Sequence, residues 1–453
     1  MKEIIFRVFA LFIYVTIIFS CSRKPVTTDT ALQAYLHNSD RSFKWEIQDE
    51  SKAEGVSLYR ILFTSQQWRG IYWNHELTII VPDMLKFDDA LLFITGGSLD
   101  NGKPNMHGWD DDLTIALSQV ATTNMAIVAI IWQVPNQPLY DDLTEDALIS
   151  YTLHNYLNDH DLTWPLLFPM TKSAIKAMDV VQKFANKEIK RKVSHFIVSG
   201  ASKRGWTTWL TGANDDRVKA IGPMVIDVLN MPINVDYQKV VWGDYSIEIE
   251  DYVNLGIAQQ LGTPGGDELV EMIDPYSYRK KLTMPKMLFI GTNDPYWPVD
   301  AVKNYIDSIP GENYISYTPN AGHDLGDAKK AFATLSAFVG FTVTNDKYPI
   351  CDYTISEENG IISLVVKSTP ELLKDAILWS AESVDRDFRD EIWTDTTLSI
   401  SDKTEIKTEI KYPDTGFKAF YIDLQYKAPF GSDYTESTRM YVANENKLLL
   451  KVE

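Results

Sequence analysis

The chain of 453 residues is poor in cysteine, with only Cys21 and Cys351. Two thiols cannot staple a disulfide scaffold, so stability must come from a buried core. Histidine is scarce as well, at seven copies, and neither an HExxH pair nor a CxxC pair occurs. The common zinc arrangements are thereby excluded, and no metal site is expected. Glycine-rich phosphate loops of the GxGxxG or Walker type are missing, so no nucleotide cofactor is expected. Basic residues are outnumbered: 43 Lys and Arg against 62 Asp and Glu give a formal charge of −19. Such a field repels phosphate and argues against a nucleic-acid partner. A long apolar run is lacking too. The main one, Val8–Phe19, is short of the roughly 20 residues that a membrane span needs.

Hydrophobic residues make up 45% of the chain and charged residues 23%, ordinary globular usage. The length fits two domains, or one large α/β domain with an appendage. Lys2 and Arg7 precede the Val8–Phe19 run, as in a secretory signal over residues 1–20. The run ends Ile18-Phe19-Ser20-Cys21, which resembles a bacterial lipobox, with Cys21 as the lipidated residue. A plain cleaved signal with Cys21 incidental is the other reading. Residues 21–30 read as a polar tether, and the expected location is the cell envelope, with the membrane met only through a lipid anchor.

Between residues 31 and 344, short apolar runs alternate with helix-period segments. Ala90–Thr95, Ala126–Trp132, His195–Ser199, Ala220–Ile226, Met287–Ile290 and Tyr314–Tyr317 read as buried strands. Leu143–Leu157, Thr171–Phe184, Asp300–Pro310 and Ala328–Val339 read as helices, the first with an Asp142-x-x-Glu145 capping box and the last ending at Gly340. Val56–Phe63 and Ile71–Val81 read as an antiparallel pair. The expected fold is α/β with a mostly parallel sheet. Residues 227–284 are too long for a crossover loop, and serve either as a substrate lid or as a cover for the sheet edge. From residue 345 to 453 the pattern is alternating and all-β, with Asn359-Gly360 marking a hairpin; a small sandwich is expected.

The chemistry sits at His195-Phe196-Ile197-Val198-Ser199-Gly200-Ala201-Ser202-Lys203-Arg204-Gly205. An apolar strand runs into a Gly-x-Ser turn and then a helix, the setting of a nucleophile elbow. Asp294 follows the next apolar strand but one, and His323 follows the strand after that. The order Ser202, Asp294, His323 is that of an acid–histidine relay on such a sheet. The oxyanion donors are expected to be the Lys203 amide and the loop Gly96-Gly97-Ser98, with Gly97 as the second donor. Trp132, Arg204 and Trp242 are substrate-binding candidates. Arg204 has a second reading, bracing the elbow against a buried acid such as Asp227 or Asp179. Trp109-Asp110-Asp111-Asp112 reads as a solvated acidic loop rather than a cation site.

These residues resemble one family, the PhoPQ-activated pathogenicity-related proteins, a branch of the α/β hydrolases. The resemblance rests on Trp132-Gln133-Val134-Pro135-Asn136-Gln137-Pro138-Leu139, Glu145-Asp146-Ala147-Leu148, Pro169-Met170-Thr171-Lys172-Ser173-Ala174 and Gly200-Ala201-Ser202-Lys203-Arg204-Gly205-Trp206. It implies an α/β-hydrolase core with Ser202 as nucleophile. The expected activity is serine hydrolysis of an ester or peptide bond, on a small-molecule, peptide or glycan-ester substrate. The alternative is a non-catalytic binding or signalling lipoprotein on the same scaffold.

Overall fold

The computed structural model describes residues 25–431 and 433–451. The signal region and Cys21 lie outside the described residues. Among the described residues, no helix is long and apolar enough to cross a membrane.

The strands of the first part are β1 (Lys44–Ala53), β2 (Val56–Trp68), β3 (Ile71–Pro82), β4 (Asp89–Ile94), the two-residue β5 (Leu99–Asp100) and β6 (Lys103–Pro104), β7 (Ile127–Ile131), β8 (His195–Ala201), β9 (Val218–Met224), β10 (Lys286–Gly291) and β11 (Asn313–Thr318). The helices are α1 (Thr28–Leu36), α2 (Asp112–Asn124), α3 (Glu145–Asp159), α4 (Leu167–Lys187), α5 (Lys203–Asn214), α6 (Met231–Trp242), α7 (Glu250–Asn254), α8 (Ile257–Gln260), α9 (Pro264–Ile273) and α10 (Lys329–Thr344). Nine strands form one sheet in the order β1-β2-β3-β7-β4-β8-β9-β10-β11. The pairs from β1 to β7 are antiparallel, and those from β7 to β11 are parallel. This is the α/β-hydrolase sheet.

The continuous apolar runs are explained by burial on both faces. Leu92 and Ile94 of β4 enter one core with α4 and α5, while Leu91 and Phe93 enter the other with α2 and α10. Asp111 caps α2 by accepting from the amides of Leu113 and Thr114, so the acidic stretch starts a helix.

Three local expectations are corrected. The segment 300–310 folds as two 3-10 turns, Ala301–Asn304 and Ile306–Ser308, instead of a helix. Glu145 begins α3 with Thr144 as its cap, and its carboxylate points elsewhere, so there is no capping box. α10 runs through Gly340 to Thr344, because a bare Cα there lets Asn124 and Phe430 pack close.

The C-terminal strands are β12 (Cys351–Glu358), β13 (Ile361–Ser368), β14 (Leu373–Ser383), β15 (Thr394–Thr397), β16 (Glu405–Lys411), β17 (Phe417–Lys427), β18 (Asp433–Ser437) and β19 (Tyr441–Asn444). They form a sheet β12-β13-β16 and a sheet β15-β14-β17-β18, with β19 on β17. Asn359 and Gly360 both have positive φ, as the tight hairpin between β12 and β13 requires. Phe420, Ile422 and Leu424 of β17 share one apolar core with Ile362 and Leu364 of β13 and with Phe338 and Phe341 of α10. Tyr421 turns the other way and meets Tyr317 of β11 at a ring distance of 4.8 Å.

Because these cores are continuous, a chain ending at Thr344 would expose the apolar face of α10 and one face of β11. Such a fragment is expected to aggregate on expression. Gel filtration and a thermal melt check this; a monomeric fragment with a cooperative transition would show the hydrolase part to be independent of the module.

Candidate active site

Ser202 lies between β8 and α5 with φ 59° and ψ −126°, a strained conformation for a side chain bearing a Cβ. Close backbone contacts hold it there. A Cβ on Gly200 would stand 2.8 Å from the Ile94 carbonyl, and one on Gly205 would stand 2.8 Å from the Met224 carbonyl and 3.0 Å from that of Gly200. The second glycine of the elbow therefore belongs at position 205, where the first turn of α5 crosses the strand ends. Lys203 is the first residue of α5, so its amide N–H has no acceptor within the helix.

The loops that follow β10 and β11 bring the partners. Ser202 Oγ lies 2.9 Å from His323 Nε2. His323 Nδ1 lies 2.9 Å from Asp294 Oδ2 and 3.1 Å from Oδ1. The carboxylate also accepts from the Tyr296 amide at 2.9 Å. Since Nδ1 faces a carboxylate it carries the proton, and Nε2 is left to accept from the serine hydroxyl. The Tyr296 ring stacks on the imidazole at 4.1 Å, which fixes the ring plane. Asp294 is buried, whereas His323 is partly open.

A narrow cavity of about 60 Å³ opens at these residues. Its walls are almost wholly apolar. Leu153 of α3 and Trp206 of α5 line it together with Met231, Val235, Ile257 and Ala258 of the 227–284 insertion. Besides Ser202 and His323, its polar lining residues include Asp146, Lys203, Tyr252 and Tyr296. Lys203 pairs with Asp146 at 2.9 Å, and the Tyr252 hydroxyl donates to the same carboxylate at 2.9 Å.

Arg204 is a bracing residue in this geometry. Its guanidinium donates to both oxygens of Glu145 at 2.7 and 2.6 Å, and Nε donates to the Val134 carbonyl. The partner differs from the sequence expectation. Asp179 is engaged by Arg217 and Lys176, and Asp227 accepts from the Tyr305 hydroxyl. Burial, reinforced by the charge of Asp294, pushes the Asp227 carboxyl up to about 7 against that hydrogen bond. Glu145 behaves oppositely. Burial alone would raise it, but the hydrogen bonds and charge of Arg204, with Gln137 and Lys203, hold it down at about 2.

Two aromatic candidates are not brought to the cavity. Trp132 is buried in the core on the opposite face of the sheet, stacked on His107, with its indole N–H bonded to Thr78. Trp242 lies at the end of α6 beneath the guanidinium of Arg389, 4.2 Å away. Gly97 packs against Gln133 in the loop after β4 and does not line the cavity. Asp146, Tyr252 and Tyr296 were missed as site residues. Asp146 stands in one of the blocks that carry the family resemblance, and Tyr296 follows Asp294 by two residues. Tyr252 has no sequence signal. Among the described residues, no cluster of three or more His, Cys, Asp or Glu could hold a metal ion.

The family model for PhoPQ-activated pathogenicity-related protein matches residues 32–389. Autocrine proliferation repressor protein A of Dictyostelium discoideum is 31% identical over 443 residues, covering 90% of this chain and 88% of that one. Among solved structures, acetyl xylan esterase 1 of a Thermoanaerobacterium species is similar at 17% identity and TM-score 0.45, over 67% of this chain and 92% of that one. The acetyl xylan esterase of a Paenibacillus species is similar at 14% identity and TM-score 0.47, over 69% and 92%.

The Glu145–Arg204 pair gives a pH signature. The folded carboxyl titrates near 2 and an unfolded glutamate near about 4.3, so the pair contributes its stability above that range and loses it as pH falls toward 2. Glu145→Gln is expected to cost about 1–3 kcal/mol at neutral pH. The gap between the two proteins should narrow as pH falls below about 4 and close only toward pH 2. Denaturant titrations at pH 7 and pH 3 check this, and an equal gap at both would exclude the pair as its source.

Proposed function

The chain belongs to the PhoPQ-activated pathogenicity-related protein family, and from that premise we propose that it is a serine hydrolase that cleaves an ester or peptide bond by way of an acyl-enzyme. The observation that carries this reading is the hydrogen-bonded series Ser202–His323–Asp294 at a strained elbow beside an apolar cavity. His323 Nε2 takes the hydroxyl proton as Ser202 Oγ bonds to the acyl carbon. Asp294 keeps Nδ1 protonated and stabilises the imidazolium that forms. The carbonyl oxygen gains negative charge, which the Lys203 amide at the positive end of α5 meets. Breakdown releases the alcohol or amine, which takes the proton back from His323. Water then repeats the sequence on the acyl-enzyme and frees the acid.

The cavity supports a substrate with a compact apolar group on the acyl side. Its lining is almost wholly apolar, and Lys203 on that lining is paired with Asp146. The proposed location remains the cell envelope, with Cys21 as the lipidated residue. The Dictyostelium relative is named for repressing proliferation; the alternative for this chain is a non-catalytic binding or signalling lipoprotein, and the same experiment separates the two.

A fluorophosphonate probe should label the wild-type chain at one site, and Ser202→Ala should abolish both labelling and ester hydrolysis. Asp294→Asn should lower kcat by about 10⁴-fold. No labelling of a folded wild-type chain would favour the non-catalytic alternative.

Ala258→Phe fills the cavity from α8. It is expected to lower kcat/KM for butyryl esters by about 10-fold or more while sparing acetyl esters. Equal losses for both acyl lengths would show that the acyl group binds elsewhere.

A further inference from the structure

The C-terminal module reaches the site through one loop, residues 384–393 between β14 and β15. It crosses the two loops that present Asp294 and His323. Asn293, immediately before Asp294, directs its side-chain amide at the backbone carbonyls of Phe388, Arg389 and Glu391, at 3.1, 3.2 and 2.8 Å. Asn320, three residues before His323, pairs with Trp393 in both directions: Nδ2 donates to its carbonyl at 2.9 Å and Oδ1 accepts from its amide at 2.8 Å. The two site loops are also tied to each other. The Asn293 amide donates to the Ala321 carbonyl, and the Asn320 amide donates to Thr292 Oγ1, both at 2.9 Å. Arg386 carries the loop to the insertion, where it donates to the Tyr237 hydroxyl and stands 3.7 Å from Asp300.

The hydrogen bonds are placed unusually for a module that only covers apolar surface. Its buried residues already serve that purpose, with Phe388 and Trp393 both in the core. The asparagine contacts add no apolar area. They fix the backbone of the residues flanking the acid and the histidine, where a shift of an ångström would lengthen the 2.9 Å contacts of the series.

We infer that the 384–393 loop is a strap that sets the distance between Asp294 and His323, and that Asn293 and Asn320 are positioning residues acting through it. This rests on the hydrolase reading for its kinetic consequence, but the mechanical claim stands apart from it.

The test uses the full chain with Asn293→Ala and, separately, Asn320→Gly, which keeps the left-handed backbone of position 320 (φ 55°) available. Fluorophosphonate labelling, aryl-ester kinetics, thermal melting and amide hydrogen exchange are compared with wild type. Labelling stoichiometry and KM are expected to be unchanged, while the labelling rate and kcat fall about 10- to 100-fold. Exchange should rise in residues 291–296 and 319–324 and stay constant in the β12–β13 hairpin. A merely structural role would lower the melting temperature and the labelled fraction together, with the rate of the folded fraction unchanged; that result overturns the proposal. If Asn293→Ala does not fold, Asn320→Gly decides alone. If wild type is not labelled at all, the hydrolase reading fails, and exchange still decides the strap: unaltered exchange in both loops overturns it.

Discussion

The guanidinium of Arg204 holds together four segments that no local preference would bring to one point. It grips Glu145 at the start of α3 with two parallel hydrogen bonds, takes the Val134 carbonyl beyond β7 with a third, and lies against Gly96 beyond β4. Its own backbone is the first turn of α5, directly after Ser202. The elbow, the loops beyond β4 and β7, and the start of α3 are thus fixed relative to one another by a single side chain. A lysine has the charge but not the planar fork, and could not make this set of contacts. The strain at Ser202 persists because its surroundings over-determine it: glycines at 200 and 205 allow the strands to close in, and the fork of Arg204 stops them from relaxing.

Much of this was legible in the sequence. The apolar runs of β4, β7, β8, β9, β10 and β11 are long enough to be buried on both faces, and their alternation with helices leaves few topologies. Ser202, Asp294 and His323 each follow an apolar run, and chain order supplies their sequence around the sheet. What was not legible depends on direction and on distance along the chain. Trp132 continues the face of β7 that carries Val128 and Ile130, and that face turns away from the cavity toward α2. Composition made it a plausible cleft residue, and strand parity excludes it. The acid that pairs with Arg204 lies 59 residues before it, among many acidic residues, and only the topology selects Glu145. The Asn293 and Asn320 contacts, some 70 to 100 residues apart, are hidden for the same reason.

The division into a hydrolase part and a β module is sharp in pattern but not in packing. The change from long apolar runs to alternating strands near residue 345 marks a change of architecture. Yet Phe420 and Ile422 share a core with Phe338 and with strands of the central sheet. An alternating strand needs a surface to bury one face against, and β18 of the larger sheet finds it on α10, where the Tyr434 and Phe341 rings lie 5.3 Å apart. The sandwich is in this sense completed by the hydrolase part, and its loops arrive at the acid and histidine as a consequence of where that shared face lies.

The charged groups buried around the site contribute little to the net stability of such a core. Removing Lys303 and Asp300 from water costs several kcal/mol per ion, and their mutual attraction does little more than offset it. An apolar pair of equal volume would fold as well. What such a pair could not do is discriminate between near-equivalent packings, since apolar contacts have no direction, whereas a fork on a carboxylate has one geometry. Their placement is consistent with that role. Arg204–Glu145 lies beside Ser202, Lys203–Asp146 lies on the cavity lining, and Asp300 with Lys303, Tyr237 and Arg386 lies where the insertion, the Asp294 loop and the 384–393 loop meet. Each stands at a junction between segments distant in the chain, where a directional contact fixes a geometry that apolar packing alone would leave open.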